Sequence, residues 1–542
     1  MRGYFRLVVV LLVSTFCFGA VTPDEARQWQ QDLQYFHDHA AEVHRNLFHD
    51  MKPAQFDAAV ADLQKQVPTL SRNQIIVGLM RIVAMIDDGH SHIPFDASEG
   101  FHHLPIRLWQ FSDGLYVVAG DKKYAEIVGG RVVRFGNTPV DEVLKAASTI
   151  APHDNAMTIK ARVQYSLTFP EVLNGLGVIG DPSHVPITVT KDGKEITASI
   201  EPESFDYYRD RHDFALPAGW VDACDPSAPV PLWQRHPDDL YWFDYDPKEK
   251  LLYVQYNAVQ QKKDESIADF FARVMAFANS HPVDKFVLDL RQNGGGNNYF
   301  NLPIIHDFIR SDAVNQPGKL FTIIGRQTFS AAGNLTNEMR INTNTMFVGE
   351  PSGFRPNMYG DPAALILPNS KIKVMLSTLW WQDNDPRDNR PWQAPDLAVE
   401  SSFADYRAGR DPVLEVVLRA KAEKPIAAQL QAYIDANHPE EAHQALTEYL
   451  ADPLHRYVNV EQQLNNMGYE YLGRHDVNRA IEVFKLNVEA YPQSWNVYDS
   501  LGEAYLASGD RALAKENYRR SLELNPKNQT ARDVLAQGPK GS

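Results

Sequence analysis

Lys285-Phe-Val-Leu-Asp-Leu-Arg-Gln-Asn-Gly-Gly-Gly296 is a short β-favouring apolar run that ends in three consecutive glycines. Phe286, Val287, Leu288 and Leu290 suit a strand buried on both faces, as in a parallel sheet within an α/β layer. Glycines directly after such a strand leave backbone N–H groups unshielded, which suits an anion or oxyanion cradle; a tight strand-to-helix turn uses the same residues. The Lys-Ser/Thr pair of a nucleotide-binding P-loop is missing.

Outward from this stretch, strands and helices alternate. Residues 251–256 read as a strand and 267–278 as a helix. Leu320-Phe-Thr-Ile-Ile324 reads as a second buried strand, 331–342 as a helix and Met346-Phe-Val348 as a further strand. Residues 248–418 are therefore expected to form one α/β core. Within it, Thr328-Phe329-Ser330-Ala331-Ala332 joins a buried strand to a helix. Ser330 would stand at the helix N-terminus, where free N–H groups and the dipole favour developing negative charge. An ordinary serine N-cap is the competing reading of Ser330.

Residues 24–100 read as helical. The stretch 26–46 lacks Gly and Pro, and 72–87 places Ile75, Ile76, Leu79, Met80 and Val83 at helical spacing, with Ser71 as the expected N-cap. After it comes Asp87-Asp88-Gly89-His90-Ser91-His92. A serine nucleophile needs a base of near-neutral pKa, and His90 offers one. On an extended segment His90 and His92 point the same way, so a metal pair is a rival, although no local spacing supplies a third ligand. Residues 104–204 change to short β-rich runs with an Asp192-Gly193 hairpin signal. Residues 205–247 are rich in Pro, Asp and aromatics without a period, and are expected to be a linker or insertion.

The tail repeats itself. Gly468, Tyr471, Ala480, Phe484 and Pro492 recur 34 residues later as Gly502, Tyr505, Ala514, Tyr518 and Pro526. This is the period and pattern of tetratricopeptide helix pairs, so 425–535 is expected to be a helical repeat module, with the helices near 427–451 as an irregular cap. Such modules bind proteins.

The first twenty residues carry Arg2 and Arg6, an apolar run from Leu7 to Val13, and small Gly19 and Ala20 before a polar stretch. They read as a secretory signal peptide, which predicts a periplasmic or secreted protein. No later stretch is apolar enough for a membrane span. The net charge of −16 argues against nucleic acid and anionic membranes as partners. Of the two cysteines, Cys17 and Cys224, only the second lies beyond the leader, so no internal disulfide is expected.

The motifs together resemble the tail-specific, or C-terminal processing, serine peptidase family. An aspartate-glycine-histidine segment lies upstream, a strand ends in Asp-x-Arg-x-Asn-Gly-Gly-Gly, and the serine lies in Thr-x-Ser-Ala. Gly349-Glu350-Pro351 and Pro395-Asp396 follow in order. The resemblance implies a multidomain α+β protein: a helical N-terminal region, a PDZ-like β domain over 104–204, a crotonase-like α/β core over 248–418, and the repeat module. It implies a peptide or protein substrate and no cofactor. Ser330 becomes the nucleophile, with oxyanion donors on Gly294, Gly295 and Ala331.

One branch of the family uses a lysine base where this chain has Arg355, and arginine cannot be deprotonated at accessible pH. The other branch, similar to the tricorn core, uses histidine, here His90, oriented by a later acid. Asp388 is the first choice for that acid and Asp385 the second; the loop containing Asp383, Asp385 and Asp388 reads equally as a solvated acidic surface. Two residues depart from the family pattern: Gly333 stands where active members often carry glutamate, and Gly89 where the tricorn-like branch has serine. A catalytically inactive binding protein on the same fold, and a metal hydrolase using His90 and His92, remain as alternatives.

Overall fold

The computed structural model describes residues 19–96, 99–204, 215–422 and 424–536. Apart from Gly19 and Ala20, the expected signal peptide lies outside them.

The core sheet has six strands in the order Tyr241–Asp246, Leu251–Tyr256, Lys285–Asp289, Leu320–Ile324, Met346–Gly349 and Leu397–Ala398. The first pair is antiparallel and every later pair parallel. Leu251–Tyr256 and Leu320–Ile324 are buried at every residue, Gln255 and Thr322 included, which is why they read as mainly apolar runs without alternation. Helices Ile267–Ser280, Asn301–Arg310 and Ala331–Asn342 contribute Phe270, Phe271, Phe308 and Leu335 to a core shared with this sheet. The sheet begins at Tyr241, inside the stretch expected to be a linker. Tyr-Trp-Phe-Asp-Tyr-Asp lacks the aliphatic run of a central strand because it is the edge, exposed at Asp244 and Asp246.

At the N-terminus, helices Pro23–Val43, Pro53–Gln66 and Arg72–Ala84 form as the periodicity requires, and Ser71 caps the third with a reciprocal Gln74 contact. They do not bury their apolar faces among themselves alone. Leu365, Leu367, Ile372, Val374 and Leu376 belong to the same core. These residues lie in or beside the long hairpin Asn357–Ile366/Lys373–Gln382, which falls between the last two core strands in sequence. His92 then pairs with Met375 of the hairpin through two backbone hydrogen bonds of 2.9 and 2.8 Å. This pairing carries the Asp-Gly-His segment across to the core.

Between them lies a largely antiparallel sheet in the order Ile106–Phe111, Gly114–Asp121, Arg131–Phe135, Val185–Lys191 and Lys194–Ile200, with Trp220–Asp222 on its second strand. The region expected to hold short β-rich runs also holds helices Ala156–Ser166 and Pro170–Gly175. The longer one buries Met157, Thr158, Val163, Gln164 and Ser166, polar and apolar alike, so it lacks the single apolar stripe that reveals a helix in sequence. Asn155 caps it by accepting from the Met157 and Thr158 N–H groups.

Helices from Ile426–Asp435 to Gln529–Ala536 share one core of their own. A methyl on Gly468 would lie 2.4 Å from Phe484, and one on Gly502 3.1 Å from Tyr518, so the repeated glycines mark where paired helices cross. The module touches the α/β core through Arg456, which pairs with Glu400 at 2.9 Å, and through His455 on the Asp396 carbonyl at 3.3 Å. Among the described residues no helix is long and apolar enough to cross a membrane.

Candidate active site

Ser330 ends a tight descent from the buried strand Leu320–Ile324. Thr328 Oγ1 donates to the Leu290 carbonyl at 2.8 Å, and the Phe329 N–H donates to the Asn293 carbonyl at 3.1 Å. These bonds lash the serine loop to the glycine loop. Ser330 itself sits at φ 53°, ψ −128°, a backbone conformation that costs a non-glycine residue on the order of 1–3 kcal/mol. Its hydroxyl makes no capping bond to the helix Ala331–Asn342. It lies instead 3.0 Å from His90 Nε2. Ser330 thus holds the N-cap position without capping through its hydroxyl, and two residues 240 positions apart are in hydrogen-bond contact.

His90 is held from both sides. Its backbone N–H donates to Asp88 Oδ1 at 2.8 Å, while Asp88 Oδ2 accepts from Ser91 Oγ at 2.6 Å and lies 3.1 Å from His44 Nε2. The ring stacks on Phe329 with centroids 4.4 Å apart. Burial pushes the imidazole down to about 4, below the near-neutral value expected from sequence. Nδ1 is buried and has no hydrogen-bond partner among the described residues. His92 contacts the His90 carbonyl through Nδ1 at 2.8 Å, so its ring is tied to the backbone.

The glycine loop meets Ser330 closely. A methyl on Gly295 would lie 2.6 Å from Ser330 Cβ, and the residue holds φ 102°, so only glycine fits there. Its N–H is engaged with Asn293 Oδ1 at 2.9 Å. Gly295 is thus a spacer, and its N–H is unavailable as the anion donor expected of it. The N–H groups of Gly294 and Ala331 make no hydrogen bond among the described residues, and both residues line the cleft that holds Ser330 and His90. The rest of the motif is structural. Tyr253 donates to Asp289 at 2.6 Å, and Arg291 joins Asp289 to Asp411.

Asp388 is not brought to His90. Its carboxylate takes a forked contact from Arg390, two residues on, at 2.7 and 2.9 Å, and Asp385 does the same with Arg387 at 2.8 and 3.0 Å. Both acids are satisfied locally, the geometry of a surface loop. The carboxylate on the cleft wall is Asp361, at φ 51°, with Oδ2 accepting from the Trp381 indole at 2.6 Å. No motif marks it in the sequence.

Arg355 pairs with Asp87 at 2.6 Å, which makes it a tie between the helical region and the core. The family departures have steric causes. A methyl on Gly333 would lie 2.6 Å from the Phe354 ring, and one on Gly89 2.8 Å from Phe329, so neither glutamate nor serine has room. Glu350 of the Gly-Glu-Pro loop is buried, which alone would raise its pKa, but Arg326 and Lys160 hold it at about 2. Arg326 also donates to the Gln110 carbonyl at 2.7 Å, joining the core to the antiparallel sheet.

A tetratricopeptide repeat model matches residues 495–528. No curated protein matches the chain in sequence. Among solved structures the chain is similar to mature CPAF complexed with lactacystin, at 12% identity and a TM-score of 0.51 over 73% of this chain and 98% of that one. A CPAF mutant gives the same identity and TM-score over 72% and 98%. The photosystem II D1 C-terminal processing protease is also a neighbour, at 12% identity and a TM-score of 0.36 over 74% and 98%. The likeness to CPAF spans nearly the whole of that chain and is one of fold.

Proposed function

We propose that this chain is an exported serine peptidase that works through a Ser330–His90 dyad, with a repeat module that holds other proteins. The core is read as crotonase-like and the antiparallel sheet over 104–204 as PDZ-like. His90 Nε2 accepts the Ser330 proton as Oγ attacks the scissile carbonyl. The oxyanion of the tetrahedral intermediate is met by the N–H groups of Gly294 and Ala331. His90 then gives the proton to the leaving amine, an acyl-serine forms, and water activated by the same imidazole releases the product. Stacking on Phe329 and the fixed backbone around Asp88 orient the ring in place of a carboxylate. Export rests on the sequence of residues 1–20.

The observation that carries this reading is the 3.0 Å contact between His90 Nε2 and a serine held in a strained turn, its hydroxyl free of capping duty. The test is labelling with a fluorophosphonate, followed by peptide hydrolysis. The wild type should label on Ser330. Ser330→Ala should lose the label and lower turnover by on the order of 10⁴ with an unchanged melting curve. Lactacystin, found in complex with CPAF, serves as a second probe.

His90 Nδ1, unpartnered among the described residues, favours a second reading, a binding protein on the same scaffold. That protein would neither label nor hydrolyse.

A further inference from the structure

Two non-glycine residues on the wall of the cleft hold a left-handed backbone. Ser330 is one, at φ 53°, and Asp361 is the other, at φ 51°. The cleft they line has a volume of about 640 Å³. At Asp361 the conformation interrupts a strand. The hairpin pairs Gly360 with Leu379 and Pro362 with Ser377, while the Asp361 carbonyl between them accepts from Thr378 Oγ1 at 2.6 Å. Strands are built from extended residues, so a costly left-handed one within a strand points to a function for its side chain. A methyl on Gly360 would lie 3.8 Å from His90 Cε1, so this stretch of strand runs against the imidazole.

Asp361 is exposed. Its Oδ2 accepts from the Trp381 indole at 2.6 Å, and its Oδ1 makes no hydrogen bond among the described residues. Arg162 lines the same cleft but is engaged: it donates to the Gly89 carbonyl at 2.7 Å and lies over the Phe329 ring at 5.4 Å. Burial pushes His90 and His92 below the ordinary histidine value, so both are neutral near pH 7. The Asp361 charge opposes that effect on His90 through space, which places its field within the site. Trp381 and Tyr299 line the same space, and Tyr299 is 80% exposed. A carboxylate oxygen beside aromatic rings is the chemistry that receives an ammonium or guanidinium group.

We infer that Asp361 is a specificity determinant that receives a cationic group of the bound peptide, either a basic side chain or the N-terminal ammonium. The inference rests on the peptidase reading for the meaning of that peptide, but its test does not need turnover. Full-length Ser330→Ala is titrated with alanine-based octapeptides that carry a fluorophore at the C-terminal end. One lysine is walked through acetylated peptides, each matched to its glutamine counterpart. A lysine-free peptide is compared with free and with acetylated N-terminus. The decisive variant adds Asp361→Asn. Asparagine tolerates the same left-handed backbone and still accepts from the indole, so this change removes the charge and little else.

At one position lysine should bind about 3- to 10-fold more tightly than glutamine, the scale of a partly screened ion pair beside aromatic rings. If the cation is the terminal one, the walk will be flat and acetylation will cost the same factor. Asp361→Asn should abolish the difference, and raising salt to about 1 M should shrink it. Equal affinity across the set, no measurable binding of any peptide, or a preference that survives Asp361→Asn in a folded protein overturns the assignment. A preference that salt leaves untouched overturns it as well, and that measurement needs no variant at Asp361. A wild type that selects cationic peptides in this way yet hydrolyses none of them overturns the peptidase reading and leaves the role of Asp361 standing.

Discussion

Adjacent glycines in the loop that faces Ser330 should respond to alanine in opposite ways. At Gly295 the new methyl would lie 2.6 Å from Ser330 Cβ and 2.9 Å from both the Ala331 nitrogen and the Phe329 carbonyl oxygen. Carbon atoms pack at about 3.5–4.0 Å, so roughly 1 Å must be found. All the opposing atoms belong to the short turn that carries Ser330, and none is the far end of a flexible side chain. The φ of 102° adds a left-handed penalty of about 1–2 kcal/mol, and overpacking about 1–3, for a total near 2–5 kcal/mol. Relief comes most cheaply by pushing Ser330 away from His90, and a ~1 Å misplacement of a reacting group costs about 10²-fold in rate. A methyl on Gly294, by contrast, meets nothing within 4 Å. Gly295→Ala and Gly294→Ala are compared by thermal melt and by the rate of fluorophosphonate labelling. The first should melt lower and label about 10²-fold more slowly; the second should melt like the wild type. A Gly295→Ala protein that labels at the wild-type rate would refute the packing argument and the place it gives Ser330.

Because burial holds His90 near 4, the neutral base persists well below pH 6. The acid limb of kcat/KM should therefore fall as pH drops through about 4, and an inflection at 6–7 would refute a His90 held down by burial as the base. His90→Ala should abolish hydrolysis, whereas Asp388→Asn should change kcat by less than about threefold, since Asp388 serves only Arg390; a thousandfold loss in Asp388→Asn would restore it as the orienting acid. Arg355→Ala should lower the melting temperature by breaking the bond to Asp87, at about 1–2 kcal/mol, and leave the pH profile in place. Truncation belongs after residue 424, because Lys285 donates to the Ala420 carbonyl and Gly318 packs on Ala422. That protein should cleave short peptides near the wild-type rate and a full-length protein substrate more slowly. Loss of short-peptide cleavage with a normal melt of the core would make the repeats part of the site.

The sequence by itself determined whatever depends on neighbours in the chain. Apolar runs such as Phe286–Leu288 must be buried strands, three glycines must leave open backbone, and a 34-residue recurrence of small and aromatic residues must stack helix pairs. These follow from periodicity and side-chain volume, which are local. The candidate nucleophile and base were legible for the same reason, since each lies in its own short motif.

Only the tertiary structure decided how the motifs meet. His90 reaches Ser330 because a hairpin some 280 residues later packs on the first helices and pairs Met375 with His92. Hydrogen bonding, too, is exclusive in a way that spacing does not reveal. The Gly295 N–H is lost to Asn293 and Asp388 to Arg390, which leaves the Gly294 and Ala331 N–H groups open to the cleft among the described residues and the His90 ring stacked on Phe329. A residue's type fixes what it can bond. Which bond it makes depends on the nearest partner in three dimensions, and that is set by the packing of segments far apart in the chain.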